Sequence, residues 1–251
     1  RMILRDPALD SGRQASQIRE LLDMGISALV VAPADADSLA DVLTEARDRG
    51  VKVIVVDTAV ADDIPADCTI TSDNYEAGVI VGKYFLQKHN TAKLVVMTHE
   101  STRSARERVG GFLDTVSANE NIQVVKKIEC EGQVEIAMPR LQEAIDEGLD
   151  FDAVFCLNDL AGMGVVAALD ENGLLDQVAV YGVDASPDSK ELIHEGKMAA
   201  SAAQFPTVIG KEAADVIYRC LDGEETEKLI LTPVKLICAE NVEEFGISRW
   251  Q

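Results

Sequence analysis

Polar side chains stand at the carboxyl ends of several apolar runs in this sequence, and their types carry more chemistry than any catalytic motif in it. Asp57 ends the run Val53-Ile54-Val55-Val56, Asn158 follows Val154-Phe155-Cys156-Leu157, Asp184 ends the run from Val178 to Val183, and Gln204 follows Ala199 to Ala203. Arg106 and Arg108 fall in the first turns of the helix expected after the run at 93–98. Carboxylates accept two hydroxyl hydrogens at once, and guanidinium and amide NH2 groups donate to hydroxyl oxygens. Such a mixed set suits a small polyhydroxylated ligand, a sugar in kind. Each residue also has a second reading. Asp and Asn after a strand cap the next helix, which applies to Asn158 and Asp184, and Asp159 can cap if Asn158 does not. No helix follows Asp57 at once, so an Asx-turn in its loop is the alternative there. Arg106 and Arg108 are two apart, on different helix faces, so one can meet a ligand while the other is a solvated charge.

The signatures of common enzyme classes are missing. The sequence holds no GxxxxGK[ST], GxSxG or HExxH motif. His89, His99 and His194 are dispersed and read as surface or structural residues. Gly162-Met163-Gly164-Val165-Val166-Ala167 matches GxGxxA after a strand, with Asp184 about twenty residues on, as a dinucleotide site requires. The strand ends near Leu157, however, so both glycines fall inside the first turns of the following helix, where close helix packing explains them better. Asp57 with Asp184 could be taken for a glycosidase pair, but nothing in the sequence fixes their separation, and an arginine nearby holds both ionised. The five cysteines, Cys68, Cys130, Cys156, Cys220 and Cys238, are odd in number and scattered, without a CxxC pair. They read as small buried hydrophobes, with Cys220 and Cys238 placed late enough in the chain to pair. No cofactor and no metal are expected, and the chain is not read as an enzyme.

Composition narrows the partners. Of 251 residues, 47% are hydrophobic and 27% charged, which is ordinary for a globular protein. Lys and Arg total 23 against 44 Asp and Glu, a formal charge of -21, and such a surface repels phosphate backbones. Aromatics are only 4%, with Trp250 the sole tryptophan, so no base-stacking platform can be built. No apolar run reaches the roughly 18 residues of a membrane span. Nucleic acid and direct membrane insertion are thus excluded as partners. Met2-Ile3-Leu4-Arg5-Asp6 reads as a strand at the very start, with no cap or leader before it, and the sequence is therefore expected to lack an upstream segment.

Two periodicities alternate along the chain. Apolar spacing at Ile18, Leu21 and Leu22, closed by Gly25, predicts a helix; the continuous run Ala28 to Ala32 predicts a strand covered on both faces. A helix from Asp37 or Ser38 to Gly50 and a strand at 51–57 repeat the unit. Further helices are expected near 73–89, 102–118, 133–147, 158–172, 187–195 and 206–222. Further strands are expected near 93–98, 122–129, 152–157, 178–183, 198–203 and 229–238, with a short one at 68–71. Alternation at such short connections means doubly wound α/β with right-handed crossovers. The rhythm breaks between Asp57 and Ser72, near Gln204-Phe205-Pro206 and near Thr232-Pro233. The fold expected is therefore two doubly wound parallel-sheet lobes joined by a three-segment hinge. One lobe is assigned residues 1–72 plus 205–232, the other 73–204 plus 233–251. Ligands of open α/β sheets sit outside the carboxyl ends of strands, so two such lobes enclose a cleft.

Several motifs, in this order, are similar to those of one family: Ser72-Asp73-Asn74 with Gly78 and Gly82, Ala105-Arg106-Glu107-Arg108 with Gly111-Phe112, Asn158-Asp159, Gly182-Val183-Asp184, and Gly196-Lys197 leading to Ala203-Gln204-Phe205-Pro206. From Met2 to about Cys238 the chain resembles the ribose-binding type of periplasmic binding protein, the substrate-binding component of sugar ABC importers and a relative of lac-repressor core domains. The resemblance implies that Asp57, Arg108, Asn158, Asp184 and Gln204 hydrogen-bond a monosaccharide or polyol. It implies closure of two lobes by hinge rotation, a membrane permease as partner, and an extracytoplasmic location, in the periplasm or lipid-anchored at the cell surface. It also implies a first strand, an aromatic-bearing loop and a first helix that this sequence does not contain. Thr58 follows Asp57 where ribose binders carry Arg, and Cys130-Glu131-Gly132-Gln133 has no aromatic where relatives often do. Effector domains of repressors and sensor ectodomains share the fold and are the alternatives, with a nucleotide-binding enzyme as the different-class one.

Overall fold

A computed structural model describes residues 1–251. The chain forms two compact units, one of Arg1–Ser72, Ser101–Ser104 and Thr207–Thr232, the other of Asp73–Glu100, Ala105–Pro206 and Pro233–Gln251. The short stretch Ser101–Ser104 is grouped with the first unit in addition to the passages at Ser72, Pro206 and Thr232, and its last two residues begin a helix whose remainder belongs to the second.

The first unit is a parallel sheet covered on both faces. Its elements are α1 (Ser11–Asp23), β1 (Ala28–Val31), α2 (Ala40–Asp48), β2 (Lys52–Asp57), β3 (Cys68–Ser72) and, from later in the chain, α8 (Pro206–Leu221) and β9 (Leu229–Thr232). The strand order is β1-β2-β3-β9, parallel throughout. Successive side chains of a strand point to opposite faces, and β2 shows the consequence. Val53 and Val55 enter one apolar cluster with Ile18, Leu21, Leu22, Val42 and Leu43 of α1 and α2, whereas Ile54 enters another with Cys68, Ile70 and Ile209, Ala213, Val216 and Cys220 of α8. Hence the unbroken apolar run in the sequence. The expected strand at 2–6 does not form: these residues join no ladder, and Met2 and Leu4 are exposed while only Ile3 rests against the core. A β-pattern without a neighbour to pair with leaves its backbone groups in water. The helix α2 starts at Ala40 instead of Asp37 or Ser38, because Asp35 Oδ1 accepts from the amides of Asp37 and Ser38 and folds them into a turn.

The second unit holds α3 (Asn74–Lys88), β4 (Ala92–Thr98), α4 (Arg103–Val116), β5 (Ile122–Glu129), α5 (Val134–Asp146), β6 (Ala153–Cys156), α6 (Asp159–Glu171), β7 (Ala179–Asp184), α7 (Pro187–His194), β8 (Ala200–Ala203) and β10 (Lys235–Cys238). Its sheet order is β10-β8-β7-β6-β4-β5, parallel except for the antiparallel edge strand β10. The single strand expected over 229–238 is thus two, in different sheets, broken at Pro233, which lacks the N–H a ladder needs. The core stacks Phe112 on Phe155, with ring centroids 4.0 Å apart, and sets Phe85 edge-on to Phe112 and Tyr181.

Glycines let helices in this unit touch backbone to backbone. A Cβ on Gly78 would lie 2.0 Å from the carbonyl oxygen of Arg108, and one on Gly111 would lie 2.1 Å from that of Tyr75, so α3 and α4 cross at van der Waals contact of their main chains. Gly164 does the same for α6 on α5, where a Cβ would meet Val134 O at 2.9 Å. The GxGxxA match is therefore a packing seam. No helix of the structure is long and apolar enough to cross a membrane.

Candidate functional site

Strand order in the second unit puts the carboxyl ends of β6, β7 and β8 side by side, and with them Asn158, Asp184 and Gln204. Arg108 reaches the same place from the second turn of α4. Its guanidinium is buried, and the α3–α4 contact at Gly78 brings its backbone against the helix that carries Asn74. Nε donates to Asn74 Oδ1 at 2.9 Å, and Nη1 donates to Leu157 O at 3.1 Å and to Asp184 Oδ1 at 3.2 Å. Gln204 Nε2 donates to the same carboxylate oxygen. A carboxylate held by a guanidinium and an amide is fixed in direction, which leaves its remaining lone pairs as acceptors for hydroxyl groups. Arg106, by contrast, is exposed and donates to Glu100 O. Burial separates the two arginines that spacing leaves open.

Gln204 leaves one atom unmatched. The residue is 8% exposed, and its Oε1 accepts no hydrogen bond. Buried acceptors without a donor are uncommon and costly, on the order of 1–3 kcal/mol. With Nε2 committed to Asp184, Oε1 is the position a donor from a bound molecule would satisfy.

Asn158 does two structural things at once. Its Oδ1 caps α6 by accepting from Ala161 N at 2.9 Å, and its Nδ2 donates to Gly132 O at 3.0 Å, tying the loop after β5 to the end of β6. The second Nδ2 hydrogen is what remains to offer a ligand. Asp184 does not cap α7; Ser186 does, accepting from Ser189 N. Asp57, the remaining residue of the expected set, lies at the end of β2 in the first unit, exposed and with a left-handed φ of 69°, its carbonyl accepting from Thr71 Oγ1 at 2.7 Å. The structure thus gathers Arg108, Asn158, Asp184 and Gln204 on one unit and places Asp57 on the other.

Beneath the gathered set lies a layer that spacing alone does not reveal. Asp184 and Ala185 are consecutive non-glycine residues with φ of 119° and 49°, a backbone L-residues rarely adopt. Ala185 N donates to Ser201 Oγ at 3.0 Å, and Ser186 N donates to Asp159 Oδ2 at 2.7 Å. Asp159 is fully buried and also accepts from Ser201 Oγ at 2.7 Å and from Ser189 Oγ. Burial, then the nearby Asp184 charge, push its pKa up to about 7, against the pull of these donors. Gly182 is required here: a Cβ would stand 2.5 Å from Asp159 Oδ1. In the sequence Asp159 reads only as a substitute cap, and nothing there marks Asn74 as the partner of Arg108. An N-D pair after an apolar run offers two polar residues for one cap, which is the available sign that the second has another task.

All five cysteines are buried and unpaired. Cys220 packs with Cys68 in the first unit, whereas Cys238 is in β10 of the second. Burial raises the thiols of Cys68 and Cys130 to about 11. No cluster of His, Cys, Asp and Glu is placed to hold a metal ion.

The model of the family described as "Periplasmic binding protein domain" matches residues 3–225. The chain is 28% identical over 238 residues to the ribose import binding protein of Bacillus subtilis (strain 168), covering 94% of this chain and 76% of that protein. Among solved structures, it is similar to an ABC transporter solute binding protein from Bacillus halodurans C-125 with bound myo-inositol. That match has a TM-score of 0.92 at 24% identity, covering 99% of this chain and 87% of the other. A Caulobacter myo-inositol binding protein bound to myo-inositol aligns with a TM-score of 0.87 at 26% identity, over 94% of this chain and 82% of the other.

Proposed function

From a chain that belongs to the periplasmic binding protein domain family, a family of binding proteins and not of enzymes, we propose an extracytoplasmic solute-binding protein that takes a monosaccharide or related polyol. The observation that carries this reading is the buried, donor-less Oε1 of Gln204 beside a carboxylate already held by Arg108. A hydroxylated ligand supplies the missing donor, and a ligand lacking that hydroxyl leaves the atom unpaired, which is how such sites discriminate between stereoisomers. In this reading Asp184 accepts from ligand hydroxyls, Asn158 and Arg108 donate to them, and Asp57 contributes from the first unit when the two units close over the ligand. Closure would then present the loaded form to the membrane permease of an ABC importer. The names of the relatives, a ribose import protein and proteins holding myo-inositol, support the ligand class. Thr58, buried and accepting from Ser104 N at 3.4 Å, stands where ribose binders carry Arg, and this favours a ligand other than ribose.

A thermal-shift panel tests the reading. Pentoses, hexoses, cyclitols and nucleotides are added to the chain at high excess, and a ligand of the native state must raise Tm by mass action. The expected result is a shift with one sugar or cyclitol that Asp184→Ala abolishes. A shift with nucleotides and none with sugars or cyclitols would overturn it.

A further inference from the structure

The candidate site is braced by residues that follow β10. After β10 the backbone runs through a short 3-10 turn at Val242–Phe245, with Val242 buried in the core of the second unit and Phe245 and Ile247 packed against it. Lys190 of α7, fully buried, anchors the tail beyond that turn: its Nζ donates to Gly246 O at 2.9 Å, to Arg249 O, and to Gln251 Oε1 at 3.1 Å. An ammonium has three hydrogens, and here each has an acceptor. Burial lowers the Lys190 pKa, so the charge is held against a desolvation cost by these acceptors.

Gln251, held by its oxygen, is aimed by its nitrogen. Nε2 donates to Gln204 O at 2.7 Å and to Asp184 O at 3.1 Å. These are the main-chain carbonyls of Asp184, at the end of β7, and Gln204, just after β8, whose side chains also hydrogen-bond each other. Asp184 O also accepts from Gln204 N at 3.2 Å. Both carbonyls lie where the strand ladder ends, and the backbone at Asp184 and Ala185 is in the left-handed region, so neither is held by regular pairing alone. We propose that Gln251 is a positioning residue for the ligand site: one amide clamps the two strand ends at the separation that lets Asp184 and Gln204 meet one ligand. The inference rests on the ligand-site reading above.

Two variants separate positioning from mere stability. Gln251→Met keeps the side-chain length and removes both roles of the amide. Gln251→Glu keeps an acceptor for Lys190, so the tail stays seated, and removes the donor. Binding of D-ribose, D-allose and myo-inositol is measured by calorimetry, with Asp184→Ala alongside, and amide exchange of residues 184–186 and 203–205 is followed without ligand. Positioning predicts that both Gln251 variants weaken the binding sugar or cyclitol by roughly 3- to 10-fold, the scale of a lost second-layer hydrogen bond. It also predicts faster exchange at those amides in both variants, with Gln251→Glu, which keeps the Lys190 contact, losing less Tm than Gln251→Met. A Gln251→Glu protein that binds and exchanges like the parent overturns it. If Asp184→Ala weakens binding and the Gln251 variants do not, this inference fails alone. If none of the three compounds binds, or Asp184→Ala leaves binding intact, the ligand-site reading fails, and exchange still decides whether Gln251 holds the strand ends.

Discussion

Gly78→Ala, a change of one methyl group, should damage both the fold and the candidate site, and the structure says by how much. A Cβ at this position would lie 2.0 Å from Arg108 O and 2.6 Å from Phe112 N, whereas ordinary contact begins at 3.4 Å. Both atoms are main chain, so no side chain can swing away, and α3 and α4 must part by about 1 Å or more, an overpacking that costs typically 1–3 kcal/mol. For a chain of this size a kilocalorie moves Tm by roughly 2–4 °C, so a fall of about 2–12 °C is expected. The retreat also carries Arg108 away from Asp184 Oδ1, now 3.2 Å from Nη1, and from Asn74 on the opposite helix. Ligand affinity should fall with stability. Gly110, in the same helix α4, is the control: a Cβ there meets nothing within 4 Å. Removing a glycine from a helix interior without a clash stabilises by about 0.5–1 kcal/mol. Thermal unfolding of the two variants should therefore show shifts of opposite sign. Equal shifts, or a Gly78→Ala protein within a degree of the parent, would refute the backbone contact and the account of how Arg108 is placed.

Other perturbations test neighbouring parts of the site. Arg108→Met removes the donor to Asn74, Leu157 O and Asp184 and leaves a mostly buried carboxylate without its cation; a loss of about 3 kcal/mol, the scale for breaking such a pair, should appear in denaturant unfolding, and a loss under 1 kcal/mol would contradict the burial of that pair. Asp159 keeps its proton in the native state to about pH 7, against 3.8 in its ordinary state, so its contribution to stability is complete below pH 3.8 and is lost as pH rises through 7. Asp159→Asn should consequently gain on the parent protein between pH 5 and pH 8 by at most roughly 1.4 kcal/mol per pH unit, and parallel stability–pH curves would sink the argument. All five thiols are buried, and those of Cys68 and Cys130 are raised to about 11. A thiol reagent at pH 8 should label none of them in the native protein within minutes and five after unfolding; rapid native labelling would show that these cores open.

The alternation of helix and buried strand is legible because parallel strands buried on both faces have no polar side to hide, as Val53, Ile54 and Val55 show by serving two cores. Strand-end polarity likewise points to Asp184 and Gln204, since a parallel sheet brings its carboxyl ends together whatever lies between them in sequence. Arg106 and Arg108 cannot be separated by spacing, because the choice depends on which face of α4 meets α3, and two glycines settle that through tertiary contact. Asn158 has two roles open to it in the sequence, and its cap is visible in the structure. The strand expected at 2–6 fails for want of a partner strand, a property of the ladder and not of the residues. The bracing layer is invisible in the sequence for a similar reason. Asp159 reads in the sequence only as a substitute cap, and no spacing singles out Lys190 or Gln251, until long-range folding buries the first two and brings the third to Asp184 and Gln204.

The central claim is that a sugar or cyclitol hydroxyl completes the hydrogen bonding of Gln204 Oε1. Calorimetric titration of the parent protein and of Gln204→Met with D-ribose, D-allose and myo-inositol addresses it directly. The account predicts one-site binding of at least one of these to the parent protein, weakened by roughly tenfold or more in Gln204→Met, as for the loss of a buried hydrogen bond. Binding of the same strength in both proteins, or no binding of any of the three, would contradict it.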